Sequence, residues 1–201
     1  EWFTQPGELY AVSVFYKTFK NPISLQYLNS SNPEFQYANV DEGTIGGIEL
    51  ELRKTLGFIA PAFDKFKIST NLTFITSTMD VIEQSGLEPE SRPFEGQSPV
   101  LANLSLGYLN PDSKWDIQVS YNYTGERLAV VGLNSPDIYE RGLSTLDAVI
   151  SKKLGNVSLK FAANNLLNPN YTTSSEYLGQ EYLTRQYKKG TSFVLSVAYE
   201  L

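Results

Sequence analysis

The sequence predicts an all-β protein, an antiparallel transmembrane β-barrel wall of about eight strands. Three observations carry that expectation: segments that alternate apolar and polar residues, the length of those segments, and the way long and short connections take turns. In GIELELRKTL, residues 47–56, Ile48, Leu50 and Leu52 fall on one face and Glu49, Glu51 and Arg53 on the other. Such a strand has a greasy side and a charged side. The question is which of them meets water.

Eight segments alternate in this way, at 9–20, 43–54, 65–78, 98–109, 114–127, 143–153, 156–167 and 190–201. The third sets Ile68, Thr70, Leu72 and Phe74 against Lys67, Ser69, Asn71 and Thr73. In the fourth, Ala102, Leu104, Leu106 and Tyr108 oppose Asn103, Ser105 and Gly107. The fifth sets Trp115, Ile117, Val119, Tyr121 and Tyr123 against Asp116, Gln118, Ser120, Asn122 and Thr124. In the seventh, Val157, Leu159, Phe161 and Ala163 oppose Ser158, Lys160 and Asn164. The last puts Phe193, Leu195, Val197, Tyr199 and Leu201 on one face. The first and sixth are less clean, with Phe15 and Val149 on the polar side.

Soluble strands average roughly five or six residues, and a tilted membrane-crossing strand needs about nine to eleven. These segments match the second figure. Long connections (21–42, 79–97, 128–142, 168–189) alternate strictly with short ones (55–64, 110–113, 154–155). An outer-membrane barrel sorts its connections so, with short periplasmic turns and long external loops. On that layout the chain ends on the periplasmic side. Tyr10, Tyr108, Trp115 and Tyr199 then lie near the inner ends of the apolar face, and Phe74, Tyr121 and Tyr123 near the outer ends, as two aromatic belts. Glu49, Glu51, Arg53, Lys67, Asp116, Asp147 and Lys160 would line the lumen and pair with one another or with a plug.

Composition removes whole classes of chemistry. With no Cys and no His, the chain offers no disulfide, no Cys/His metal site and no Ser-His or Cys-His nucleophile, so an enzyme is not expected. Charged residues are 19% against the roughly 25% of an ordinary soluble domain. The net charge of −6 and the lack of a basic patch exclude a nucleic-acid partner. No run is long and apolar enough for a transmembrane helix, which leaves barrel strands untouched. No metal or cofactor is expected. The charges of the two middle loops, Asp80, Glu83, Glu88, Glu90, Arg92 and Asp137, Tyr139, Glu140, Arg141, read first as solvated loop residues. As external ligand contacts, Arg92, Gln97, Tyr139, Glu140 and Arg141 are the candidates.

AANNLLNPNY, residues 162–171, resembles the Asn-Leu-Phe-Asp-x-x-Tyr signature near the end of TonB-dependent outer-membrane receptors, with Asn165, Leu166, Leu167, Asn168 and Tyr171 in its places. Leu for Phe and Asn for Asp are departures similar to those in receptors of the Bacteroidetes. RPFEGQSPVLANLSLGY (92–108) and YAVSVFYKTFKNPI (10–23) resemble other strands of such receptors. The resemblance implies a 22-stranded barrel closed by an N-terminal plug, of which residues 1–201 would be the C-terminal barrel segment, plug absent. Glu1 would stand in the run-in to a strand.

The resemblance further implies location in the outer membrane of a Gram-negative bacterium and uptake of a ferric siderophore, a vitamin or a glycan. Its partners would be outer-membrane lipid, an energy-coupling TonB-type protein acting through the plug, and the barrel-assembly machinery. That machinery would read the closing strand, Phe193, Leu195, Val197, Tyr199 and Leu201; the terminal Leu departs from the usual aromatic. Two other readings stay open. A complete eight-stranded outer-membrane barrel could serve as adhesin, anchor or assembly partner. A soluble carbohydrate-binding sandwich would bury Tyr121 or Phe193 between sheets.

Overall fold

A computed structural model describes residues 1–28, 31–32, 34–81, 90–133 and 135–200. Leu201, Glu83 and Glu88 lie outside the described residues. The strands are β1 (Leu9–Lys20), β2 (Ile23–Leu28), β3 (Glu34–Asn39), β4 (Glu42–Thr55) and β5 (Phe66–Val81). There follow β6 (Glu90–Arg92), β7 (Val100–Asn110), β8 (Trp115–Thr124), β9 (Arg127–Leu133) and β10 (Ile138–Glu140). The last are β11 (Leu143–Leu154), β12 (Val157–Asn164), β13 (Tyr171–Tyr177), β14 (Gln180–Tyr187) and β15 (Ser192–Tyr199).

The eight long alternating segments form the wall, an antiparallel sheet in the order β1-β4-β5-β7-β8-β11-β12-β15, with β6 added beside β5. Neighbours in the wall are neighbours in sequence, so each strand follows the last by a turn or an external loop. The wall is open, since β1 and β15 do not pair with each other. That is not the geometry of a closed eight-stranded barrel.

Register carries the period-two pattern across the whole sheet. Val12, Leu50, Leu72, Ala102 and Tyr123 stand in one row, and Leu106, Val119, Ala148, Ala163 and Phe193 in another. Between them on the opposite face run Glu51, Asn71, Asn103, Asn122 and Thr145, and then Arg53, Ser69, Ser105, Ser120 and Asp147. A slip of one residue in any strand would turn its greasy face into the polar interior. Phe15, the exception the sequence flags, indeed sits on the polar side, opposite Gly47. A Cβ on Gly47 would come within 2.6 Å of both the Phe15 ring and the Phe74 carbonyl oxygen, so the glycine makes room for the ring.

The apolar face is uncovered by protein: Val14 is 74% exposed and Leu195 70%. The sandwich expectation fails on its own criterion, because Tyr121 is 36% and Phe193 63% exposed rather than buried between sheets. A row this long and this apolar requires a lipid solvent.

The external connections are not loops alone. They hold β2, β3, β9, β10, β13 and β14, a second sheet in the order β14-β13-β10-β9-β2-β3 with β2 parallel to β9. These strands are short and several are polar on both faces, so no periodicity announces them. Under this sheet lies the apolar core of Val40, Met79, Val81, Leu128, Val131 and Leu133, with Leu28, Phe94 and Tyr139 packed against it. The core therefore sits at the mouth, outside the lipid-facing belt. At the inner end, Trp2 pairs antiparallel with Tyr10 (N–H to O, 2.7 Å; return bond 2.9 Å). Residues 3–9 thus make a turn, and Trp2 lies on the free edge of β1 rather than in the run-in to it.

Candidate functional site

Two regions hold polar groups placed by the fold. The first is the inward face of the wall. Glu49, Glu51, Arg53, Lys67, Asp116 and Lys160 all fall on it by register, and each has a Ser, Thr, Asn or Gly opposite on at least one side, although Arg53 also faces Leu9 and Asp116 faces Leu109. Small partners leave these charges room and keep the surface wet. Ser105 accepts from Gln118 at 2.9 Å and Asn122 donates to Thr145 at 3.4 Å. A shallow recess of about 200 Å³ opens among Glu51, Arg53, Asn71, Asn103, Ser120 and Asn122. The expected mutual pairing is limited: among the described residues only Arg53–Glu51, at 2.6 Å, forms an ion pair within this set. Asp147 instead caps the Asn165 backbone N–H at 2.7 Å.

That contact belongs to the NLLNPNY turn, and it explains the motif. Asn165 and Asn168 both adopt positive φ (57° and 43°), which Asn tolerates far better than most residues. The Asn165 amide donates to the Gly190 carbonyl at 2.7 Å, and Asn168 accepts from the Gly190 N–H at 3.1 Å. Thr191 donates to the Asn165 carbonyl at 3.0 Å. The turn fastens the outer end of β12 to the start of β15.

The second region is the mouth. Arg92 bridges Glu90 (2.6 Å) and Asp137 (2.7 Å), tying β6 to the approach to β10. Asp137 also accepts the Gly132 N–H at 2.9 Å. Arg141 donates to Ser174 at 2.6 Å and to Glu181 at 2.7 Å, and pairs with Glu126. Glu140 pairs with Arg127 at 2.8 Å. Burial of the Tyr139 ring against the core pushes its phenol above the ordinary value. The Gln97 side-chain amide donates to the Ser98 carbonyl at 3.0 Å. Gln97 and Tyr139 line a cavity of about 410 Å³ with Pro93, Tyr123, Arg127 and Leu128.

The structure thus gathers Arg92, Gln97, Tyr139 and Arg141 at one end, but separates Glu140 from Arg141 by strand alternation. After two unpaired residues on each strand, the pairing of β8 with β11 resumes at the same offset in β9 with β10: Thr124 faces Leu143, and Arg127 faces Glu140. Tyr139 and Arg141 therefore continue the lumen face, and Glu140 the outer face. The sequence did not disclose Glu126, Arg127, Ser174 and Glu181, which hold these arginines. It also passed over Glu95, whose carboxylate accepts from Ser24 Oγ at 2.6 Å and from the Leu25 N–H at 2.9 Å. Burial pushes the Glu95 carboxyl above its usual value.

At the inner rim, Glu8 is 2% exposed and binds Lys54 Nζ at 2.7 Å, Thr4 Oγ1 at 2.6 Å and the Thr55 N–H at 3.1 Å. The Lys54 hydrogen bond, then those from Thr4 and Thr55, hold its carboxyl down at about 2. This cluster pins the turn at 3–9 to the base of β4. Phe193, Leu195, Val197 and Tyr199 share the exposed apolar face of β15.

A family model described as TonB dependent receptor-like, beta-barrel, matches residues 1–166. The chain is 24% identical over 195 residues to the probable hemoglobin and hemoglobin-haptoglobin-binding protein 4 of Haemophilus influenzae, covering 82% of this chain and 18% of that protein. Among solved structures, the FrpB iron transporter from Neisseria meningitidis superposes with a TM-score of 0.65 at 17% identity, covering 98% of this chain and 28% of the other. The copper transporter OprC gives 0.64 at 16% identity, covering 98% of this chain and 29% of the other. The chain spans less than a third of the length of each.

Proposed function

Since the chain belongs to the TonB-dependent receptor β-barrel family, whose members are outer-membrane receptors and transporters rather than enzymes, we propose that it forms the C-terminal part of the barrel wall of an active uptake receptor. Its own share of the work is wall, lumen lining and external mouth. The observation that carries this reading is the two-faced open sheet, apolar and exposed on one side and polar on the other. An open sheet presents unpaired backbone groups at β1 and β15, and in lipid those must be satisfied by further strands.

On this reading a plug lies upstream, and a TonB-type protein acts on it using the inner membrane's proton gradient. The barrel-assembly machinery would engage β15. The substrate is small and bulky enough to need a gated barrel: a ferric siderophore, a vitamin or a glycan. The haemoglobin-binding relative and the iron transporter favour an iron-bearing one. Arg92, Gln97, Tyr139 and Arg141 would meet it at the mouth, and Glu49, Glu51, Arg53, Lys67, Asp116 and Lys160 would line its path.

Uptake by cells with and without the receptor gene tests the reading, using labelled ferric siderophores, haemoglobin, cobalamin and oligosaccharides. Receptor-dependent accumulation that stops when the proton gradient is collapsed is expected for one class, the iron-bearing class first. Receptor-dependent entry that ignores the gradient would overturn active transport.

A further inference from the structure

The face of the external sheet that turns away from the core carries a cavity that the transport reading does not use. Side chains alternate along these strands, so residues between the buried ones point the other way. Ser24 and Gln26 of β2 and Val131 and Leu133 of β9 are buried, which puts Leu25, Tyr27 and Gly132 on the opposite face. On β10, Tyr139 packs on the core, which puts Ile138 on that face too. On β13, Ser174 is buried and Ser175 stands level with Ile138. Phe35, Tyr27 and Gly132 thus share one row, and Val130, Ile138 and Ser175 the next.

Gly132 shapes this face. A Cβ there would come within 2.2 Å of the Ser135 carbonyl oxygen and 2.6 Å of the Pro136 one. The bare glycine lets the chain after β9 fold back onto its own strand. The bond from the Gly132 N–H to the Asp137 carboxylate, 2.9 Å, holds it there. Ser135 and Pro136 are thereby laid beside Tyr27 and Ile138.

The product is a cavity of about 430 Å³, the size of a small-molecule site. Its apolar walls are Pro136, Ile138 and the tilted pair Tyr27 and Phe35, whose ring centres lie 5.1 Å apart. Its polar groups are the hydroxyls of Ser135, Ser175 and Thr184. No lining side chain is charged, in a chain of net charge −6. Ser135 Oγ is buried and has no hydrogen-bond partner among the described residues. A buried hydroxyl in that state is costly, and its donor and acceptor capacity is open to a ligand.

Aromatic faces edged by hydroxyls match a pyranose ring. Its C–H bonds lie against the negative face of a π system, and its hydroxyls hydrogen-bond at the rim. A sulfated or carboxylated sugar would call for a cation, and this cavity holds none. The cavity also stands clear of the acyl chains. Ile138 is six residues beyond Ser144, which pairs with Tyr123 of the outer belt. At about 3.3 Å per residue and a tilt near 45°, that is roughly 14 Å above the belt.

We propose that this cavity binds one pyranose ring of an uncharged glycan in the surrounding medium, stacked on Tyr27 and Phe35 and hydrogen-bonded by Ser135. It lies across the external sheet from Tyr139 and Arg141, so it is a capture site separate from the substrate path.

The test applies the complete receptor, purified in detergent and fluorescently labelled, to a printed array. The array carries neutral gluco-, galacto- and manno-oligosaccharides, their sulfated and sialylated counterparts, and purified outer-leaflet glycolipid. Binding is expected at uncharged oligosaccharides and is then titrated with the tightest of them. Tyr27→Ala should weaken it about tenfold and Ser135→Ala about fivefold. Heat-modifiable gel mobility confirms that each variant is folded, and Ser135→Ala leaves the aromatic pair in place. Cells carrying Ser135→Ala should take up the transported substrate at the unaltered rate, so this site and the transport reading can fail separately. Absence of neutral-sugar binding, equal retention of the acidic forms, or affinity unchanged in both variants overturns the proposal. Binding to the glycolipid alone, or uptake that falls in step with sugar binding, overturns it as well.

Discussion

Val119 is the sharpest place to test the two-faced wall. It lies midway along β8, four residues from Trp115 at the inner belt and four from Tyr123 at the outer one. At about 3.3 Å per residue and 45° tilt, each belt is roughly 9 Å away along the membrane normal, so Val119 sits near the bilayer centre. Its cross-strand neighbours are Leu106 and Ala148, and it is 39% exposed, so a longer side chain there enters lipid and not protein. Val119→Lys should therefore cost about 2–4 kcal/mol, a factor of roughly 30 to 700 in the folding equilibrium. Ser120→Lys, one residue on, lies between Ser105 and Asp147 on the wet face. It should cost under about 1 kcal/mol, since the ammonium finds water and a carboxylate. Reversible urea unfolding of the receptor from lipid vesicles gives both values. Equal costs for the two variants would refute the face assignment, and a costlier Ser120→Lys would invert it.

Three further outcomes follow from the geometry. Asn165→Ala loses the side-chain hydrogen bond to the Gly190 carbonyl and places a Cβ-only residue at φ 57°, so it should destabilise by roughly 2–3 kcal/mol, while Asn165→Gly costs less because the strain is gone; thermal unfolding compares them. Glu8 has its carboxyl lowered from 4.5 to about 2 in the fold, so its stabilising contribution is full above pH 4.5 and is lost as pH falls toward 2. Glu8→Gln should flatten that acid limb in a pH series of unfolding midpoints. Glu95 is shifted the other way, so the folded mouth binds its proton more tightly and that contribution fades as pH rises past the ordinary carboxylate range. Unfolding midpoints of the receptor should fall as pH rises through that range, and Glu95→Gln should remove that component.

The wall was legible because two solvents impose it. Lipid on one side and water on the other force a strict period of two, and Ile48, Leu50 and Leu52 against Glu49, Glu51 and Arg53 record it directly. Even the misfit Phe15 is readable once Gly47 is seen opposite. The external sheet was not legible. Its strands run from three to eight residues, β14 is exposed along its whole length, and β2 pairs with β9 across about a hundred residues of sequence. At the mouth, Arg92, Tyr139 and Arg141 read from the sequence as loop residues, and the structure sets each in or beside a short strand, β6 or β10. The side to which Glu140 points, and the roles of Glu126 and Glu181, depend on a register that only the folded ladder defines. The NLLNPNY motif was visible as a pattern, but its reason, two positive-φ asparagines clasping Gly190, was not.

The central claim is that one face of this sheet meets lipid and the other meets water. The chain contains no cysteine, so single cysteines can be placed in this segment from Trp115 to Thr124 and spin-labelled in the receptor embedded in vesicles. Collision with oxygen, which concentrates in lipid, should peak at 115, 117, 119, 121 and 123, and collision with a water-soluble nickel chelate at the residues between. Loss of the alternation, or its reversal, would contradict the account.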